Sequence, residues 1–162
     1  MNKSEYDKKL GLTLAKKIGK GFRNSLIQEN LSNAPGNLSY FPDGCCNWAS
    51  YFIGHYLKYE MSLNPIEIIG CRPGSDGEDE HSWVVVDDII IDITSDQFSD
   101  SIEPIIIGYT SAWHETWQVI QRNPIHRIET KDFVSLGNKL SASAVYRLVI
   151  RRALGGIEKK LA

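Results

Sequence analysis

Apolar residues recur at every fourth position from Leu10 through Leu14, Ile18 and Phe22 to Leu26, with lysines between them. That period puts all five on one stripe, so the spacing predicts an amphipathic helix over residues 3–31. Gly11, Gly19 and Gly21 weaken it and mark places for a kink or break. Residues 32–44 gather Asn33, Pro35, Gly36, Asn37, Pro42 and Gly44 and read as loop. A second helical pattern covers 46–60, with Ala49, Phe52, Ile53, Tyr56 and Leu57 on its apolar face.

The pattern then changes period. Ile66–Cys71 reads as a short strand, and residues 72–80, RPGSDGEDE, read as an exposed acidic loop. Residues 81–94, HSWVVVDDIIIDIT, carry the strongest strand signal in the chain. Two β-branched runs flank Asp87-Asp88, a pair with hairpin-turn composition. Both runs are apolar on both alternating faces, which predicts a central hairpin covered on each side. Ile105–Tyr109 reads as another strand, Trp113–Gln121 as helix or irregular chain, and Ser141–Leu161 as a terminal helix. With no internal repeat, low-complexity tract or linker, residues 1–162 are expected to form one α+β domain.

Composition narrows the partners. The chain is 42% hydrophobic and 23% charged, as ordinary globular domains are. A formal net charge of −2 gives no general attraction to nucleic acid or acidic lipid, so neither is expected as a partner. Basic residues near the ends, such as Lys16, Lys17, Arg151 and Arg152, read as solvated helix faces. No apolar run has the length of a signal peptide or a membrane span, so the expected location is cytoplasmic, with signal-independent export left open. Cys45, Cys46 and Cys71 are odd in number and two are adjacent, a poor disulfide framework. No CxxC and no nearby His pair at helical spacing is present, so neither a metal nor another cofactor is expected.

Candidate chemistry comes from three positions. A cysteine stands where the loop at Gly44 meets the second helix, His81 opens the first hairpin strand, and Asp92 ends the second. If Asp87-Asp88 is a two-residue turn, Val86 pairs with Ile89, Val84 with Ile91, and Trp83 with Asp92. His81, Trp83 and Asp92 then share one face, with His81 and Asp92 diagonal neighbours about 7–8 Å apart at the backbone. A three-residue turn would send Asp92 to the other face. A carboxylate beside the imidazole holds its tautomer and stabilises its charged form. A thiol attacks as thiolate, and a helix N-terminus and an imidazolium both favour that anion. First-turn N–H groups also point where an oxyanion would form.

Each residue has a plainer reading: a small core cysteine, a structural histidine, a strand-end aspartate, a core tryptophan at Trp83. Their combination favours a site. Around it, Trp48 and Gln97 read as possible walls, and His114 between two tryptophans reads as a core plug or a substrate wall. The acidic stretch 75–80 abuts His81 and is expected to raise its pKa. Helical spacing does not choose between Cys45 and Cys46; position leans toward Cys46, one residue further into the first turn.

G-x-C-x-x-A-S at a helix start, then H-x-W opening a strand, then D-x-T at the next strand's end, resembles the papain-like and transglutaminase-like thiol fold. With Phe41, Pro42, Gly44, Cys46, Ala49 and Ser50, then His81 and Trp83, then Asp92, Thr94, Gln97 and Phe98, it is similar to small, uncharacterised bacterial and phage proteins of that fold. The resemblance covers about residues 41–98. It implies a Cys-bearing helix packed on a small antiparallel sheet, flanked by terminal helices. It implies Cys46 as nucleophile, His81 as base and Asp92 as orienter, with Cys45 and Gly44 beside the oxyanion. Papain-like peptidases place an oxyanion-hole Gln shortly before the Cys; here Asn37, Ser39 and Tyr40 occupy that region, which leans the resemblance toward transglutaminase-like members.

The expected function is a thiol hydrolase or acyltransferase (peptidase, amidase, deamidase or transglutaminase type) acting on a protein or peptide-like amide. The alternative is a catalytically silent protein-binding module of immunity, adaptor or effector type on the same fold.

Overall fold

The computed structural model describes residues 9–128 and 140–161. The first helix, α1, runs Leu12–Gln28, with Gly11 as its extended N-cap. It is shorter than the 3–31 expected, and residues 3–8 lie outside the described residues. Ala15, Ile18, Phe22 and Leu26 form its buried stripe, while Leu14 is half-exposed. The true period is 3.6, so the turn before Ile18 directs Ala15 inward rather than Leu14. Gly19 and Gly21 serve as contact points within a continuous helix. A Cβ at Gly19 would run into Ile107 Cδ1, and one at Gly21 would lie 3.3 Å from the Ala153 carbonyl oxygen.

Helix α2 spans Cys46–His55 and continues as a wider π-helical turn over Tyr56–Glu60, so the expected 46–60 segment is helical throughout. Phe52 and Ile53 are buried completely. Each contributes about 1.5–3 kcal/mol by leaving water.

Five antiparallel strands follow: β1 (Ile66–Gly74), β2 (Gly77–Val86), β3 (Ile89–Asp92), β4 (Ile106–Gly108) and β5 (Gln118–Pro124). Their order is β4-β3-β2-β1-β5, a four-strand meander with the last strand returned to the far edge. The expected acidic loop at 72–80 is instead the outer end of the β1–β2 hairpin, where Arg72 pairs with Asp79 and Gly74 with Gly77. Ladder pairing carries these polar residues into solvent, where no apolar alternation marks them as strand. The central hairpin is as the pattern predicts. Val86 pairs with Ile89 and Val84 with Ile91 around Asp87 and Asp88, both at positive φ (49° and 64°) as a type I′ turn requires.

Between β4 and β5 lies a short helix, α3 (Ala112–Glu115). Helix α4, Ala142–Leu161, matches the terminal helix expected and packs along α1. Val84, Val86, Ile89, Ile91 and Ile93 join α1, α2 and α4 in the main core. The other face holds a smaller aromatic cluster of Ile68, Trp83 and Trp117, with Phe98 and Trp113 packed on it. The hairpin is therefore covered on both sides, and the α+β class with a helix-flanked antiparallel sheet is established.

Candidate active site

Gly44 begins the site at φ +65°, and a Cβ there would sit 2.7 Å from the Asn37 side-chain nitrogen. Only glycine combines that backbone with that clearance. Cys45 caps α2, is wholly buried, and donates its thiol to the carbonyls of Asn37 (3.0 Å) and Asp43 (3.3 Å). Burial, with the nearby Cys46 and Asp43, pushes its pKa up to about 12. Cys45 is thus a neutral anchor for the turn. Cys46 is the first residue of α2, partly exposed, and close enough to His81 to act on its charge. Helix α2 presents its free first-turn N–H groups at the same end.

His81 lies within β2, completely buried, opposite Gly70 of β1. Four aromatic rings surround it: Phe98 at 5.1 Å, Trp113 and Trp117 at 5.4 Å, and Trp83 at 5.7 Å. Its Nε2 lies 2.7 Å from Asp92 Oδ2. Its Nδ1 lies 3.2 Å from the side-chain nitrogen of Gln97. The Gln97 orientation follows from its other end. The Gly44 N–H can only donate, and it meets Gln97 Oε1 at 3.2 Å. In the neutral ring the Gln97 amide N–H points at His81 Nδ1, which accepts, and the proton sits on Nε2 facing Asp92.

Asp92 is fully engaged. Its Oδ1 accepts from the Thr94 N–H (2.9 Å) and hydroxyl (3.3 Å), and its Oδ2 accepts from His81 and from His114 Nε2 (3.0 Å). Burial opposes its charge, but the two imidazoles hold its carboxyl well below the usual carboxylate range. Burial likewise opposes charge on His81. There the Asp92 carboxylate, its hydrogen bond and the Cys46 thiol prevail, pushing the imidazole up to about 9. The acidic residues of 75–80 are not among those causes. Burial raises the Cys71 thiol, and Glu78 and Glu80 add to it.

His114 is the plug of the two readings open for it, with added chemistry. It is buried, its Nδ1 meets the Ser111 hydroxyl at 2.8 Å, and Ser111 also accepts the His114 N–H as the cap of α3. His81, Asp92 and His114 are the one group among the described residues with metal-ligand spacing, their donor atoms within 4.8 Å of one another. With the His81 proton fixed on Nε2, its contact with Asp92 is a hydrogen bond, and the His114 contact at 3.0 Å has the same length class.

The fold thus gathers Cys46, His81, Asp92, Gly44, Gln97, Trp83 and His114. Cys45 stands beside them with its thiol turned into the loop. Trp48, two residues beyond Cys46 in the first turn of α2, covers Gly36 with its indole and packs on Phe52 at 5.7 Å. Ser111, which fixes His114, is absent from the sequence reading. Trp113 and Trp117, the two tryptophans read around His114, enclose His81. Arg72 stacks on Trp117 at 4.1 Å and bonds Asp100 at 2.7 Å, a link across 28 positions that no local pattern marks. Trp113 also lines a cavity of about 410 Å³ with Asp100, Ile102, Glu103, Ile106 and Ser111. Comparison of the chain with protein-family models, with curated proteins and with solved structures found no match.

Proposed function

We propose that this protein is a cysteine-nucleophile hydrolase or acyltransferase acting on an amide or ester carbonyl of a protein or peptide-like substrate. One observation carries the reading: His81 is held by Asp92 on Nε2, and Cys46, at the start of α2, interacts with the same imidazole. In this mechanism Nδ1 takes the Cys46 proton as the sulfur attacks the carbonyl. The tetrahedral oxyanion is met by first-turn N–H groups of α2. His81 then returns the proton to the leaving amine or alcohol, giving an acyl-Cys46 thioester. Water or an amine resolves the thioester, with His81 again serving as base. Asp92 keeps the proton on Nε2 and stabilises the imidazolium; it does not itself gain the proton. The papain-like or transglutaminase-like assignment belongs to this proposal and is supported by the order Cys, His, Asp on a helix and two successive strands.

The test is intact-mass spectrometry after brief exposure to a panel of activated peptide esters. A single acyl adduct on the wild-type chain, located to Cys46 and absent in Cys46→Ala, is expected. Adducts that appear equally in both proteins would reject a Cys46 acyl-enzyme.

A further inference from the structure

Ser111 does more than cap α3. Its Oγ lies 2.8 Å from His114 Nδ1, and His114 Nε2 lies 3.0 Å from Asp92 Oδ2. A hydroxyl, an imidazole and a buried carboxylate thus stand in line beside the Cys46 site.

We infer that Ser111, His114 and Asp92 form a second nucleophilic centre, with Ser111 as nucleophile, His114 as base and an uncharged ester as substrate. This centre shares only Asp92 with the Cys46 chemistry proposed above.

Proton count sets the direction of each contact. Asp92 is held as the carboxylate and only accepts, so His114 Nε2 carries a proton. In the neutral ring Nδ1 then offers a lone pair, and the Ser111 O–H donates to it. The Ser111 oxygen also accepts the His114 backbone N–H at 3.2 Å, which leaves its one proton for Nδ1. A helix cap needs only that backbone contact. The other two supply what a nucleophilic serine requires: a base within hydrogen-bond reach, and a third group that orients the base.

Packing holds the base and leaves the nucleophile accessible. The His114 ring is buried between Trp83 at 4.7 Å and Trp113 at 5.0 Å. Asp92 is fixed at its other oxygen by the Thr94 N–H and hydroxyl. Ser111 is half-buried and lines the cavity of about 410 Å³, a volume within the range of small-molecule sites. Ile102, Ile106 and Trp113 give that cavity apolar walls, and Asp100 and Glu103 give it carboxylates. Apolar walls suit an alkyl or aryl acyl group, and the carboxylates disfavour an anionic one.

The chemistry closes on itself. His114 Nδ1 takes the Ser111 proton as Oγ bonds to the ester carbonyl carbon. The bond to the leaving alcohol breaks, and His114 passes the proton to that alcohol. An acyl-Ser111 ester remains. Water then attacks it, His114 takes a proton from the water and returns it to Ser111, and the carboxylic acid departs. Asp92 keeps the Nε2 proton in place and stabilises the imidazolium.

The test uses the full chain carrying Cys46→Ala, so that this thiol cannot contribute. A fluorophosphonate forms an Oγ–P bond on an activated serine as its P–F bond breaks. One adduct is expected, mapped to Ser111 by peptide mass spectrometry and absent in Ser111→Ala. It should form about a hundredfold more slowly in His114→Gln, as loss of a general base predicts. Ser111→Cys gives a readout that keeps a side-chain group on Nδ1. Its thiol should react with iodoacetamide at pH 7 about tenfold faster than free cysteine, because a neighbouring imidazole favours the thiolate. Absence of a Ser111 adduct from the folded Cys46→Ala protein would overturn the proposal. A thiol in Ser111→Cys no faster than free cysteine, or Ser111 labelling undiminished in folded His114→Gln, would remove His114 as its base and overturn it equally. Ser111 labelling as expected, with no acyl adduct on Cys46 from the peptide esters, would uphold this centre and reject the thiol reading.

Discussion

Asp92 and His114 are hydrogen-bonded at 3.0 Å through the same carboxylate oxygen that holds His81 at 2.7 Å. One buried anion therefore carries two imidazoles, with Thr94 satisfying its other oxygen. Removing either imidazole leaves the carboxylate short of a partner in a buried site. His114→Ala should lower stability to urea by about 2–4 kcal/mol, from a lost buried ring and a lost charge-assisted bond. Because His81 keeps its own bond to Asp92, alkylation of Cys46 should still depend on His81 in that background.

The His81–Asp92 pair sets a pH signature for stability. The His81 pKa rises from 6.5 to about 9 on folding, so its contribution is complete below pH 6.5 and lost as pH climbs through 9. The difference corresponds to roughly 3 kcal/mol. Asp92 is held low, so its side of the same interaction is present above the ordinary carboxylate pKa of 3.8 and lost in strong acid. Urea melts of the wild type should give greatest stability near pH 4–6.5, with a decline toward pH 9. Asp92→Asn should flatten that alkaline decline. An unchanged slope in Asp92→Asn would assign the pH dependence to other groups.

The two adjacent cysteines should separate cleanly. Cys45 is buried, bonded to two carbonyls and held as a neutral thiol, whereas Cys46 is partly exposed beside His81. Peptide mapping after mild alkylation should find Cys46 modified and Cys45 intact. Cys46→Ser should abolish the fast labelling and Cys45→Ser should retain it; the reverse pattern would exchange their roles.

Arg23 couples α1 to the site, and its removal leaves Asp96 and the Ile93 and Pro104 carbonyls without their donor. Arg23→Met should cost about 2–4 kcal/mol of stability, measured by urea titration.

Much of this site was legible in the chain because its key parts are local. The Asp87-Asp88 turn fixes the register, and register alone decides that His81, Trp83 and Asp92 share a face. The Gly44 turn and the apolar period after it place Cys46 at a helix start. What was not legible depends on long-range pairing or on polar strands. The residues of β5 are mostly exposed, so an edge strand formed by backbone pairing left no alternation to read. His114 reaches Asp92 across 22 positions, and Arg23 reaches Asp96 across 73, distances over which sequence pattern carries no geometry. The glycines of α1 looked like helix breakers because sequence shows their missing Cβ and hides the Ile107 and Ala153 atoms that fill the space.

The decisive experiment is the pH dependence of Cys46 alkylation in wild type and His81→Ala, with folding of both checked by circular dichroism. If His81 is the base for Cys46, the wild-type rate stays high down to pH 6.5, and His81→Ala lowers it there by about tenfold or more, as expected for loss of a positioned general base. Superimposable profiles for the two folded proteins would contradict a Cys46–His81–Asp92 catalytic centre.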